Sequence, residues 1–149
     1  MDLLSTMKMV ELFRGLNEDQ LTQLSGIAQK EEYSTGQTIV VQGEPGDKMY
    51  IIGKGQVEVK ITDSSGDSFS AVYLGNGQVF GEMALVDDGT RSASILAAGN
   101  GATVYGIPNR DFTDLCQNNT AIGYVMMRNI AQDLSFKLRH RDAGPSSNQ

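Results

Sequence analysis

Eight glycines between positions 36 and 77, at Gly36, Gly43, Gly46, Gly53, Gly55, Gly66, Gly75 and Gly77, cut the chain into short runs rich in Ile, Val, Tyr and Phe. Such punctuation calls for short strands joined by tight turns. The predicted strands are Thr38–Gln42, Lys48–Ile52, Gln56–Thr62, Ser68–Leu74, Ser92–Ala97 and Ala102–Ile107, spaced as in an antiparallel barrel or jelly roll. Gly36, Gly43, Gly46 and Gly55 read as structural residues that supply positive φ in the turns.

Helical periodicity flanks this region on both sides. Leu3, Leu4, Met7, Val10, Leu12 and Phe13 predict a first helix ending near Gly15. Asn17 caps a second, with Gln20 three residues on and an apolar stripe at Leu21, Leu24, Ile27 and Ala28. After Pro108, Phe112 and Leu115 mark a short helix, and Ile122, Val125, Met126, Ile130, Leu134 and Leu138 trace a long one with a basic end. The expected fold is α+β, mainly β: an antiparallel β-roll or jelly-roll barrel flanked by N-terminal helices and a C-terminal lid helix. One domain spans 1–142, with N-terminal helices at 1–29, the roll at 30–108 and C-terminal helices at 109–142. Gly144-Pro145 leads into a flexible tail, 143–149.

Phe80 to Ser94 carries the chemistry. A glycine, a carboxylate and an arginine stand in Gly81, Glu82 and Arg91. Glycine lets backbone approach a ligand closely, and a short helix opening at Glu82 would offer N–H groups to an anion. The Arg91 fork suits a phosphate oxygen pair, whereas Glu82, acceptor-only when ionised, suits a hydroxyl.

The remaining composition narrows the function. Twelve Lys and Arg against eighteen Asp and Glu give a net charge of −6, which argues against DNA binding by this chain, because a polyanion needs many distributed cations. One arginine still matches one phosphate. Cys116 and His140 are the only residues of their kinds, so neither a disulfide framework nor a histidine or cysteine metal centre is expected. A triphosphate loop and a nucleophile with a base partner are missing from the sequence, so no catalytic residue and no cofactor are assigned. With no apolar run long enough to span a bilayer, a soluble, cytoplasmic chain is expected. Cys116 reads as a small, half-buried residue and Met126-Met127 as packing or dimer surface.

Glu32 to Ile52, then Gly55-Gln56-Val57, then Phe80 to Ser94, strongly resemble the cyclic nucleotide-binding domain. That family includes the bacterial catabolite activator protein, protein kinase A regulatory subunits and cyclic-nucleotide-gated channels. The resemblance runs from about Leu12 to about Arg141, and its most specific part is the phosphate-binding cassette, 80–94. Gly81, Glu82, Arg91, Ser92, Ala93 and Ser94 match in kind and order, while Thr90 stands where many members have proline. The resemblance implies that Arg91 pairs with the equatorial cyclic phosphate and Glu82 accepts from the ribose 2′-OH. Backbone N–H groups around Met83 and Ala93, with the Ser92 hydroxyl, complete the phosphate contacts, and Val59, Val72 and Phe80 form the base pocket. Asp47 and Tyr50 belong to turn and packing positions in that family.

The function so implied is a non-catalytic sensor of cAMP that signals by moving its C-terminal helix. Leu85 is the expected mechanical link, and Leu134, Lys137, Leu138 and Arg139 are candidates to cap the base. The same helix is the expected contact for a protein effector or a homodimer. The alternatives are a cGMP-selective sensor, suggested by the Ser92 hydroxyl, and an interaction module that keeps the fold without binding nucleotide.

Overall fold

A computed structural model describes residues 2–141; the predicted tail at 143–149 and the domain limit at 142 lie outside them. The elements are α1 (Leu3–Met9), a 3-10 turn (Glu11–Phe13), α2 (Glu18–Ser25), β1 (Gln29–Tyr33), β2 (Thr38–Val40), β3 (Lys48–Thr62), β4 (Ser68–Gly75), β5 (Val79–Phe80), a second 3-10 turn (Glu82–Leu85), β6 (Ser94–Pro108), α3 (Asn109–Asn118) and α4 (Thr120–Arg141). Among the described residues, no helix is long and apolar enough to cross a membrane.

The first predicted helix is two pieces. Val10 leaves helical geometry at φ −75°, ψ 117°, and the chain re-enters as the 3-10 turn. Met7, Val10, Leu12 and Phe13 are all buried across that break, so their spacing is that of a buried face and not of one continuous helix. The cap of α2 is as expected: Gln20 N donates to Asn17 Oδ1 at 2.8 Å, and Asn17 N donates to Gln20 Oε1 at 2.9 Å.

The sheet is antiparallel, in the order β1-β6-β3-β4, with β2 on β6 and β5 on β3. Four of the predicted strands are halves of two. β3 and β6 each run 15 residues, and their pairing continues past irregularities at Ile52/Lys54 and Gly55/Gln56. Gly55 sits at this bend with φ +84°, and a Cβ there would collide with the carbonyl of Gly101. Glycine therefore bends the paired strands without ending them. β1 was not predicted; it pairs with Ala102–Gly106 of β6.

Alternation along β3 divides the core. Met49 and Ile51 pack with the helices, among Met7, Leu24, Leu85, Ile107, Phe112, Ile122 and Met126. Tyr50 and Ile52 point to the opposite side, with Val57, Phe80, Ile95, Ala97 and Val104. Both faces of this strand are buried, as a period of two requires when helices cover one face and the roll closes over the other. α4 is fastened to the N-terminal segment by buried Asn129, whose Nδ2 donates to Leu12 O and Arg14 O, each at 2.8 Å. Arg14 returns a contact from Nη2 to Asp133 Oδ1 at 3.1 Å.

Candidate functional site

The cassette leaves the sheet at β5, where Phe80 pairs with Tyr50 and Val79 with Ile51. Gly81 then turns the chain at φ 74°, ψ 24°, a left-handed geometry that favours glycine, and the second 3-10 turn begins at Glu82. The far end is pinned to the loop after β2. Arg91 N donates to Glu44 O at 2.8 Å, Gly43 N to Arg91 O at 2.9 Å and Gly46 N to Gly89 O at 3.2 Å, and Pro45 bridges Thr90. Thr90, in place of the family's common proline, therefore sits in a paired segment that holds the loop.

These two ends converge on the Arg91 guanidinium. Nη2 donates to Lys48 O at 2.8 Å, and the guanidinium carbon stands 5.9 Å from the Tyr50 ring centroid, within cation–π range. Tyr50 is itself stacked on Phe80 at 4.9 Å between centroids. Two glycines make room: a Cβ on Gly81 would collide with Nη1, and one on Gly46 would lie 2.7 Å from Nε. Gly46 is absent from the positive-φ glycines, unlike Gly36, Gly43 and Gly55, so its requirement is close approach and the expectation of a left-handed turn there is corrected. Burial, and after it the Glu31 carboxylate, push the Tyr50 phenol up to about 12, with Arg91 acting in the other direction. The ring stays neutral beneath the cation at ordinary pH.

A cavity of about 460 Å³ opens in front of this arginine, within the roughly 300–1,000 Å³ common for small-molecule sites. One wall is a row of apolar side chains across four strands: Val72 of β4 opposite Val59 of β3, Val59 opposite Ile95 of β6, and Ile95 opposite Val40 of β2. All four line the cavity. The opposite end carries Gly81, Glu82, Met83, Arg91, Ser92 and Ala93. Among the described residues, the N–H groups of Glu82, Met83, Ser92 and Ala93 have no backbone acceptor, so this end combines a cation with unpaired donors. An apolar slot ending in such a group suits a flat apolar ring attached to an anion.

The third wall comes from α4. Lys137 lines the cavity, and its Nζ donates to Glu82 Oε1 at 2.9 Å. Phe80 lines the cavity from below while buried on Tyr50. Leu85 faces away from the cavity, 2% exposed in the helix-side core, against which Leu134 also packs. Asn109, opening α3, ties the turn to the helices by donating from Nδ2 to Ala84 O. Leu138 and Arg139 are exposed and stand outside the cavity wall.

Several residues of the site were not predicted. Val40 and Ile95 join it only through strand register, which the sequence does not display. Tyr50, expected only to pack, also supports Arg91. Asp87 lines the cavity and accepts from Gly89 N through Oδ1 at 3.1 Å; its position inside the cassette was the only available signal.

Comparison with known proteins gives the family of the chain. A family model described as the cyclic nucleotide-binding domain matches residues 30–119. The cyclic AMP receptor protein of Thermus thermophilus is 30% identical over 136 residues, covering 91% of this chain and 61% of that protein. The cGMP-dependent protein kinase isozyme 2 of Drosophila melanogaster is 36% identical over 115 residues, covering 75% of this chain and 12% of the kinase. The crystal structure of the Thermus thermophilus catabolite activator protein superposes with a TM-score of 0.79 at 30% identity, over 89% of this chain and 60% of that one. This chain thus spans less than two thirds of each of these relatives.

Proposed function

The chain belongs to the cyclic nucleotide-binding domain family, and we propose that it is a non-catalytic sensor that binds a 3′,5′-cyclic nucleotide, cAMP in the first instance, and reports occupancy through α4. The observation that carries this reading is the placement of the Arg91 guanidinium, held between Gly81, Gly46 and Tyr50 at the end of an apolar slot. Arg91 pairs with the cyclic phosphate, a charge-assisted contact that a fixed planar fork makes well. The N–H groups of Met83 and Ala93 and the Ser92 hydroxyl donate to the remaining phosphate oxygens. Glu82 accepts from the ribose 2′-OH, and the row Val72, Val59, Ile95 and Val40 takes the base.

Occupancy is transmitted by the same stretch. Glu82 and Leu85 lie on one 3-10 turn, with Glu82 at the ligand and Leu85 in the core shared with α4. A ligand that draws this turn inward shifts α4 only by its differential affinity for the two arrangements. An effector or a second copy reads the shift on α4, in the cytoplasm.

A cGMP-selective sensor is the second reading, favoured by the Ser92 hydroxyl at the cavity wall. The names of the relatives point both ways, one to cAMP and one to cGMP. Calorimetric titration with both nucleotides tests the proposal. Saturable binding with cAMP the tighter is expected; a large preference for cGMP overturns the base assignment alone, and no binding of either overturns the sensor.

A further inference from the structure

We infer that Glu31 of β1 is a positioning residue of the ligand site, which sets the Arg91 guanidinium through Lys48 and Tyr50 and so raises the affinity for an anionic nucleotide; this rests on the cyclic-nucleotide reading above. Glu31 and Lys48 belong to strands that are not neighbours, β1 and β3, with β6 between them. Glu31 stands opposite Val104 and Lys48 opposite Pro108, so a contact between them runs diagonally across Gly106. Glycine leaves that path open. A Cβ on Gly106 would lie 3.1 Å from Glu31 Oε2 and 3.2 Å from both Lys48 Cδ and Tyr50 Cε1, so three side chains converge over one bare Cα.

Both carboxylate oxygens are used. Lys48 Nζ donates to Glu31 Oε2 at 3.3 Å, and the Tyr33 hydroxyl donates to Oε1. The pair is largely withdrawn from water, with the Glu31 side chain 21% and the Lys48 side chain 28% exposed, so salt screens it weakly. Two of the residues gathered over Gly106 support Arg91 directly: the Lys48 backbone carbonyl accepts from Nη2 at 2.8 Å, and the Tyr50 ring lies beneath the guanidinium. The carboxylate is felt at that ring, where it adds to burial in raising the phenol. Glu31 itself stands outside the cavity wall, and its contribution is order. Without it the Lys48 ammonium loses its partner, the start of β3 is freed, and the Arg91 fork is oriented only when the anion binds, at a cost to affinity. The sign separates this role from charge alone. Removing a carboxylate from a chain of net charge −6 favours an anionic ligand through the field, whereas loosening the seat disfavours it.

The test is calorimetric titration of cAMP and cGMP against the full chain and the variants Glu31→Gln, Lys48→Met and Glu32→Gln, at low and high salt. The Arg91 Nε–H resonance, assigned by its loss in Arg91→Ala, is followed in parallel in the ligand-free proteins. Lys48→Met keeps the carbonyl that Arg91 uses. The Glu32 side chain is 69% exposed and pairs with Lys30 at 3.3 Å, so Glu32→Gln removes the same charge one residue away and leaves the seat untouched. Glu31→Gln and Lys48→Met should each weaken binding by about two- to fivefold, the range of a single ion pair, at both salt concentrations, and should move the Arg91 resonance. Glu32→Gln should do neither. Unchanged or tighter binding in Glu31→Gln, a loss confined to low salt, or a loss with the Arg91 resonance unmoved overturns this inference while leaving the sensor intact; if Glu31→Gln does not fold, the same outcomes are read from Lys48→Met. Absence of nucleotide binding to the wild-type chain overturns both.

Discussion

Arg91 donates from Nη2 to the backbone carbonyl of Lys48 at 2.8 Å, so the guanidinium of the cassette is fixed to the start of β3 and not only to its own loop. The remaining N–H groups of the fork are thereby oriented before any anion arrives, which reduces the ordering cost of binding. The glycines on either side and the Tyr50 ring beneath complete the seat.

The two glycines separate ligand binding from stability. Gly81 has φ +74° and a Cβ there would strike Arg91, so Gly81→Ala should lose roughly 1–2 kcal/mol of stability together with at least about tenfold in affinity. Gly46 lacks the left-handed backbone, and the three atoms nearest its added Cβ all belong to the Arg91 side chain, the first at 2.7 Å. Gly46→Ala should therefore keep stability within about 0.5 kcal/mol and still lose affinity. Thermal unfolding beside nucleotide titration of the two variants checks the contrast.

Asn129 is 4% exposed and serves two carbonyls. Asn129→Ala leaves both without that donor and should cost about 1–3 kcal/mol. The loss should appear as faster hydrogen exchange in α4 and at Leu12–Arg14, since these are the segments the side chain joins.

Leu85→Ala removes a fully packed side chain from the core shared by the cassette, α3 and α4. A loss of about 2–5 kcal/mol in denaturant unfolding is expected. Leu85 lies outside the cavity wall, so any change in nucleotide affinity must come through the position of the turn.

Alkaline pH provides a separate check. Burial raises the Tyr50 phenol to about 12, and burial with the hydrogen bond to Glu31 raises Tyr33. Each raised value means that the folded chain holds its proton more tightly than the unfolded one. The associated stability is complete below pH of about 10, the ordinary phenol value, and is lost as pH climbs through the folded value. Two of the five tyrosines should titrate late by tyrosinate absorbance, and Tyr50→Phe should remove one of them.

The cassette was legible because its functional groups lie within one contiguous stretch, where glycine, acid and arginine keep their order. β1 was not, because Lys30, Glu31 and Glu32 break any apolar alternation and the strand is held by backbone pairing to β6. β3 and β6 were each divided at glycines that bend a paired strand without ending it. The apolar wall of the cavity was half visible: Val59 and Val72 came with the family resemblance, whereas Val40 and Ile95 depend on a register formed across four strands. Lys137 was one of four candidates on its helix, and only the fold sets it against Glu82.

Titration of cAMP against the wild-type chain and Arg91→Ala at one fixed ionic strength decides whether Arg91 carries cyclic-nucleotide binding. Saturable binding to the wild type is expected, with a loss of about 10- to 200-fold in Arg91→Ala, corresponding to roughly 1.5–3 kcal/mol for a hydrogen bond to a charged group. Equal affinity of the two proteins for cAMP would contradict it.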